Sequence, residues 1–427
     1  MSSDPPAPGL EPPRSLLASL GPGLLWAGTA VGVSHLVQST RAGAGYGFAL
    51  VWIVLVANLL KYPAFEAAPR YTAATGKSLL YGYRDQGRWV LFLFLGLTVA
   101  TMFTVVAAVT IVTAGMASAL VTDALPPIAW SAILLVGAGF LLGTGSFRLL
   151  EGLMKVMMLL LSVSTLLCVA LLATQVDVSA IPWTPMIPEY SAANVAFIVA
   201  LVGWMPTAID MSVWQSLWGL EKSRNEGHRL DFRGSMFDFY VGYLGTAILA
   251  LCFVFLGAAV LHGSGREIPN SGGAFAVLFV DLYAQALGDW SRPFVLVAAF
   301  TTMLSTTIAC ADGFPRALEA AVTEIKGAND APGERTMIYW VALGVVGVGA
   351  LVLIAFFAKN LKGLVDLATT LSFLTAPILA YFNFRVVTSA EVPVERRPGR
   401  GLLVLHVVGI LFTGALAAYY VYVKLGA

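Results

Sequence analysis

Two apolar stretches of the chain carry polar side chains that could bind a small solute inside a membrane. In the first, the run Gly32-Val33-Ser34-His35 interrupts an otherwise apolar segment, and Gln38 follows three residues after the histidine on the same face. Glycine, a β-branched residue and a hydroxyl together disfavour a regular helix. Polar groups on an interrupted helix at mid-membrane are costly unless they border a cavity or a ligand. These five residues are therefore predicted to contact the substrate.

The second stretch is interrupted at a comparable depth by Gly203 and Pro206. Proline removes a backbone donor and obstructs the preceding helical turn. Met205, Thr207 and Asp210 lie beside this interruption. Paired interruptions in the two halves of a chain are the best sequence pointer to the central site of a transporter. Kinked but otherwise ordinary helices are the alternative interpretation.

Three of these side chains predict a metal site. His35 is a ligand of intermediate softness, Met205 is a soft ligand and Asp210 is a hard anion, a combination suited to a transition metal. Two of them also have ordinary structural interpretations, since a neutral imidazole can bond a neighbouring helix and methionine often fills a core. Asp210 is the most informative, because a lone carboxylate within a membrane is costly and usually functional.

Further acidic residues are predicted to act in coupling or gating. Glu66 lies in a cluster with Lys61 and Arg70 at the inner edge of the second span, and Asp312 and Asp366 lie in later spans. For the last two, simpler alternatives are an ion pair of Asp312 with Arg316 and access of Asp366 to water. A role of Glu66, Asp312 and Asp366 in coupling or gating is a hypothesis.

The composition predicts an integral membrane protein. The 427 residues are 58% hydrophobic and 11% charged, with a mean hydropathy of +0.81, whereas soluble domains carry about 25% charged residues. The expected partners are the lipid bilayer and a small inorganic ion or solute, with no nucleic acid and no cofactor. No nucleophile–base set predicts catalysis, so the chain is not expected to be an enzyme. The sequence does not predict the oligomeric state.

Hydropathy predicts an all-α protein with eleven membrane-spanning helices. Because the interrupted helices are the first and the sixth, spans one to five and six to ten form two repeats of opposite orientation. The predicted spans are 21–48, 47–68, 89–120, 127–147, 152–174, 195–217, 236–262, 292–314, 336–358, 363–385 and 401–423. The predicted domains are a disordered tail (1–18), a transport core (19–390) made of repeats 19–180 and 190–390, and a peripheral eleventh helix (395–427).

The distribution of basic residues predicts the orientation. Most of the 25 lysine and arginine residues fall in loops on the side of the N-terminus. By the positive-inside rule this side is cytoplasmic and the C-terminus lies outside. The chain is expected to be a multi-pass protein of a bacterial inner membrane.

The sequence also resembles the Nramp family of divalent-metal transporters. The resemblance rests on GPGLLWAG and LVQSTRAGAGYGFALVW near the first two helices, on Met205-Pro206 in the sixth, and on LSTTIACADGF and LVDLATTLSFLTAPILAYF later in the chain. It implies the eleven-helix inverted repeat of the LeuT type. It also implies that the tenth helix contributes a polar side chain near the ion, at about Asp366 or Ser372.

The departures from the family pattern predict a rebuilt site. Gly32 and His35 stand where the family's Asp-Pro-Gly-Asn motif has its acid and its amide, and Thr207 and Ala208 follow the conserved Met-Pro pair. The glycine is expected to enlarge the space beside Ser34. The third helix has no acid and the ninth has no base, so the family's proton route is not expected. The predicted function is divalent-metal transport through this rebuilt site. The alternative is a carrier of a small organic solute or anion, bound by the positive ends of half-helices.

Overall fold

The computed structural model describes residues 20–144, 147–177, 180–181, 191–226, 231–327 and 335–426. These residues form helices joined by turns, and none of them forms a strand. Eight helices in this part are long and apolar enough to cross a membrane. The prediction of an all-α, multi-pass membrane protein is confirmed, while the count of eleven spans stays a prediction. The tail predicted to be disordered, 1–18, lies outside the described residues.

The helices are numbered in chain order. Their bounds are α1 (Pro22–Ala30), α2 (Thr40–Tyr46), α3 (Val51–Thr75), α4 (Leu79–Asp85), α5 (Arg88–Leu120), α6 (Pro127–Thr144), α7 (Phe147–Ala173), α8 (Ala192–Gly203), α9 (Met211–Glu226), α10 (Phe232–Val260), α11 (Gly272–Leu287), α12 (Arg292–Lys326), α13 (Met337–Phe357), α14 (Leu361–Val387) and α15 (Arg400–Gly426). A π-helical turn, Ser34–Ser39, joins α1 to α2.

Two features of this order differ from the prediction. Helix α12 continues through Pro315 to Lys326, beyond the span predicted at 292–314, because its last turns carry charged residues that a hydropathy search excludes. Helices α4 and α11 were not predicted, since both are too short to span a membrane. Ser271 begins α11 by accepting a hydrogen bond from the amide of Ala274, as expected of an N-cap.

The centre of the molecule is formed by α5 and α12, which pack against each other. The most apolar window of α12 is 72% buried, whereas the corresponding windows of α13 and α15 are each 17% buried. The two least buried helices therefore lie at the periphery. Helices α1 and α9, one from each interrupted pair, pack against α12.

Candidate functional site

A small cavity lies where the two interrupted helices approach α5 and α12. Its volume is about 30 Å³, counted as the space that the centre of a water molecule can occupy. One water needs roughly 10–15 Å³ by this measure, so the cavity holds about two waters or one partly hydrated ion. Its lining consists of Thr29, Ala30, Val33, Ser34, Val105, Val109, Trp204, Thr207, Ala208, Asp210, Met211, Trp214, Thr306 and Cys310.

The first interruption is held in place at both of its ends. Asp238 of α10 accepts hydrogen bonds from the amides of Gly21 (2.9 Å) and Gly23 (2.5 Å), and so caps the start of α1. The helix stops at Ala30, and the π-helical turn begins at Ser34, whose hydroxyl donates to the Ala30 carbonyl at 2.6 Å. A π-helical turn inside a helix frequently marks a functional position.

Gly32 does not create the extra space that the sequence predicted. A Cβ built on this residue would lie 2.8 Å from Cγ2 and 2.9 Å from Oγ1 of Thr306 on α12. The absence of a side chain is therefore used for close packing between the interruption and α12. An acid at this position would have to displace Thr306, which itself lines the cavity.

His35 lies outside the cavity and points to α10. Its ring is fully buried, with Nε2 2.9 Å from the carbonyl of Thr246 and Nδ1 2.7 Å from the Ser34 hydroxyl. Because both ring nitrogens have partners, neither is free to bind a metal. The imidazole fastens the π-helical turn to α10, which is the structural alternative that the sequence left open.

Gln38 belongs to a polar network at the far end of the turn. Its amide donates to Asp366 Oδ1 (3.1 Å) and to Thr369 Oγ1 (3.4 Å), and its carbonyl accepts from Arg41 (2.8 Å). Arg41 also pairs with both oxygens of Asp366, at 2.6 and 3.1 Å. This network ties α2 to α14, and neither Gln38 nor Asp366 lines the cavity.

The second interruption places Asp210 between two helices. Helix α8 ends at Gly203 and α9 begins at Met211. The close approach of α14 requires the glycine, since a Cβ there would lie 2.3 Å from the carbonyl oxygen of Thr369. Residues 204–210 form a buried, non-helical link of turns and bends that contains Pro206.

Among the residues that the structure describes, Asp210 is the only carboxylate that lines the cavity. Its side chain is buried, and Oδ1 has no hydrogen-bond partner among the described residues. Trp204, on the same link, also lines the cavity and has an indole N–H without a partner in the described part of the chain. A buried acceptor and a buried donor without protein partners, both on the wall of one cavity, make the cavity a candidate site for a bound water or ion.

Met211 takes the place that the sequence assigned to Met205. Met205 is fully buried in an apolar cluster with Phe197 and Phe373 and does not line the cavity. Met211 lines it, and its sulfur accepts a hydrogen bond from the Thr207 hydroxyl at 2.8 Å. The predicted set of His35, Met205 and Asp210 is therefore not brought together. Only the aspartate reaches the cavity, because side-chain directions at an interruption do not follow helical periodicity.

The remaining predicted residues lie elsewhere. Ser372 is buried on α14 outside the cavity lining. Glu66 pairs with Arg70 (2.8 and 2.9 Å) on α3. Asp312 accepts from Arg316 (2.9 Å) and from Tyr339 (2.7 Å), so it links α12 to α13. Roles of the acids in coupling or gating stay predictions.

Sequence reasoning missed several residues of the site. Trp204, Met211, Thr306 and Cys310 line the cavity without having been predicted. Met211 could have been found from its position directly after Asp210, as the second methionine beside the interruption. Thr306 gives no such signal, because its contact with Gly32 depends on the packing of α12.

Lys61 was predicted to join the cluster with Glu66, yet its ammonium reaches the second interruption. It donates to the carbonyls of Val202 (3.0 Å), Gly203 (2.9 Å) and Thr207 (2.8 Å). In the described part of the chain, Asp210 lines the cavity, and Lys61 binds the link that carries it without itself lining the cavity. The signal for Lys61 was its position inside a span, where ionisable residues are usually functional.

Comparisons with known proteins agree with this architecture. The sequence matches the natural resistance-associated macrophage protein-like (Nramp) family over residues 23–423. An uncharacterized protein of Pasteurella multocida is 34% identical over 421 residues, which cover 96% of this chain and 93% of that protein.

Among solved structures, the manganese transporter of Eremococcus coleocola, in complex with an aromatic bis-isothiourea substituted compound, superposes with a TM-score of 0.74 at 16% identity. The match covers 96% of this chain and 88% of that one. MhsT in complex with L-phenylalanine gives a TM-score of 0.62 at 15% identity, covering 96% of this chain and all of the other (100%). The fold is thus the LeuT-like inverted repeat with the first and sixth helices interrupted, and the chain belongs to the Nramp family of membrane transporters.

Proposed function

We propose that this protein transports a divalent transition-metal ion and binds it in the cavity between the two interrupted helices. The observation that carries the proposal is the buried, unpartnered oxygen of Asp210 at the cavity wall. A carboxylate in a membrane protein is costly without a partner, and a cation is the partner that its charge favours. Membership of a family of metal transporters supports the same conclusion.

The size of the cavity favours an ion over an organic solute. Space of about 30 Å³ suits an ion with one water, but not an amino acid or a sugar. One observation still supports the organic-solute alternative: the first interruption carries no acid, so it has no carboxylate to bind a metal ion. It would require the helices around the cavity to move apart before the solute could enter.

The ligands favour a transition metal over calcium or magnesium. Asp210 supplies a hard oxygen, Met211 supplies a soft sulfur, and the hydroxyl groups of Ser34, Thr207 and Thr306 line the same space. No group of three histidine, cysteine, aspartate or glutamate side chains able to hold a metal occurs among the described residues. The N–H of Trp204 cannot bind a cation, so the ion is proposed to keep at least one water as its acceptor.

We further propose that transport does not use the family's proton route. Helix α5 contains no acid and α13 contains no lysine, arginine or histidine. The proposed location is a bacterial inner membrane, with the N-terminus in the cytoplasm. Uptake of manganese into proteoliposomes is expected to change the lumenal pH little. A proton flux in proportion to the metal flux would contradict this part of the proposal.

Calorimetry on the purified protein tests the class of substrate. We expect heat from Mn²⁺ binding, with affinity for Ca²⁺ and Mg²⁺ that is millimolar or weaker, because hard ions dehydrate reluctantly. Tighter binding of Ca²⁺ than of Mn²⁺ contradicts the proposed ligand set. Heat from small organic acids, with none from any dication, selects the organic-solute alternative instead.

A further inference from the structure

The most unusual charge in the core is the ammonium of Lys61 on α3. The side chain is 1% exposed, and its three N–H groups are matched by three carbonyl oxygens, those of Val202, Gly203 and Thr207. Two of these carbonyls end α8 and the third lies in the link before α9. Carbonyls at a helix C-terminus lack helical partners and carry partial negative charge. We call this group of three oxygens the carbonyl cradle.

The cradle has the chemistry of a site for a monovalent cation. Backbone carbonyls freed by an unwound helix coordinate cations in transporters. Here the cation is part of the chain, because α3 packs along α9 and α14 and carries the lysine into the interruption. No carboxylate forms an ion pair with Lys61 in the described part of the chain, so the carbonyls are its direct partners.

The lysine also changes the charge that a substrate meets. Asp210 follows Thr207, whose carbonyl accepts from Lys61, by three residues. One ammonium and one carboxylate sum to zero formal charge beside the cavity. At low dielectric such charges act strongly on one another and on an entering ion.

We propose that Lys61 is a built-in cation, which occupies the carbonyl cradle and sets how much positive charge the site accepts from its substrate. It acts through the cradle and through Asp210, so it is a positioning residue that determines specificity. The first consequence is independent of what is transported: removal of the side chain creates a binding site for a monovalent cation. The second rests on the proposed function: removal of the charge strengthens the binding of a dication.

The first consequence is tested by the thermal stability of two variants. In Lys61→Ala the cradle is vacated, and K⁺ or NH₄⁺ is expected to raise the apparent melting temperature relative to a bulky organic cation. In the matched control Lys61→Met the uncharged stem fills the same space, so the same salts are expected to have no such effect. The wild-type protein is likewise expected not to respond. An alanine variant that does not respond, or that stays unfolded in every salt, contradicts the cradle.

The second consequence is tested by Mn²⁺ titration of Lys61→Met. Loss of the ammonium leaves Asp210 uncompensated, and the affinity is expected to rise by about tenfold or more. A lysine that served only to cap α8 would leave the Mn²⁺ affinity unchanged or weaken it, and either result contradicts the inference. If Mn²⁺ binds neither protein but K⁺ stabilises the alanine variant, the cradle stands and the proposed metal transport fails.

Discussion

The two interrupted helices are built alike but are engaged differently. At the first, the two longest polar side chains have protein partners: His35 lies within hydrogen-bond distance of Ser34 and Thr246, and Gln38 bonds Arg41 and Asp366. At the second, Asp210 has an oxygen without a partner, next to the likewise unpartnered indole of Trp204. We therefore propose that the first interruption is a scaffold and that the second carries the binding chemistry.

From this difference we propose that the site is rebuilt on the family's fold. The resemblance implies an acid in the first helix, where this chain has Gly32 packed against Thr306. The negative charge instead lies on the link after α8, together with the compensating charge of Lys61. The family architecture can thus be kept while the charged group moves from one interruption to the other.

The largest effect is expected from Asp210→Asn. The substitution keeps the size of the side chain but removes the charge, so Mn²⁺ binding is expected to fall by about a hundredfold or more. Calorimetry measures the loss. Asp281→Asn is the matched control. Asp281 lies on α11, outside the cavity, and its carboxylate pairs with Arg266 and Arg292. Equal Mn²⁺ affinity in the two variants would break the comparison between the interruptions.

A smaller effect on binding, but a clear one on stability, is expected from Gly32→Asp. The new side chain must displace Thr306, at a cost of roughly 1–3 kcal/mol in the free energy of unfolding. Thermal denaturation in detergent measures it. Gly245→Ala, on α10, is the control, because a Cβ there meets no atom within 4 Å. A stable Gly32→Asp protein with tighter Mn²⁺ binding would show that the first interruption still accepts the family's acid.

His35→Gln is expected to separate stability from binding. Loss of the paired ring nitrogens is expected to cost about 1–2 kcal/mol of stability. The Mn²⁺ affinity should stay within about twofold of wild type, because the imidazole does not line the cavity. If the affinity falls as far as in Asp210→Asn, His35 is a ligand after all.

The smallest effect is expected far from both interruptions, at Glu391 in the turn between α14 and α15. Although partial burial favours its neutral form, hydrogen bonds from Lys77 and Tyr71 hold the pKa of Glu391 below its usual range. A lowered pKa adds stability above the unfolded pKa of about 4.3, and this is lost as the pH falls through the folded pKa. Because the pair is partly exposed, Glu391→Gln should cost less than about 1 kcal/mol at neutral pH.

The pH dependence of the melting temperature checks this last prediction. The difference between Glu391→Gln and wild type should shrink as the pH falls below about 4, while Mn²⁺ binding at neutral pH stays unchanged. A difference that grows on acidification has the wrong sign.

The sequence predicted the fold more completely than the site. Hydropathy and the two interruptions predicted the spans, because membrane helices must be long, apolar and internally hydrogen-bonded. It also singled out Asp210, because an isolated carboxylate within a span is rare. Neither inference depends on how side chains from distant helices meet.

The parts of the site that could not be predicted depend on tertiary contacts. Helical spacing relates His35 to Gln38, but the ring turns to α10 and the amide to α14. Lys61 is distant in sequence from the carbonyls that it binds, and Met205 turns into an apolar cluster while Met211 faces the cavity. Thr306 of α12 packs against Gly32, and the periodicity of the sequence cannot predict a contact between such distant residues.

The most direct test of the account is anomalous X-ray scattering from crystals soaked in Mn²⁺. We predict one anomalous peak at the second interruption, within about 2.5 Å of a carboxylate oxygen of Asp210 and beside the sulfur of Met211. The peak should be absent from Asp210→Asn crystals soaked in the same way. A peak on the ring of His35 or on the sulfur of Met205, with Asp210 unoccupied, would contradict the claim that the binding chemistry lies at the second interruption.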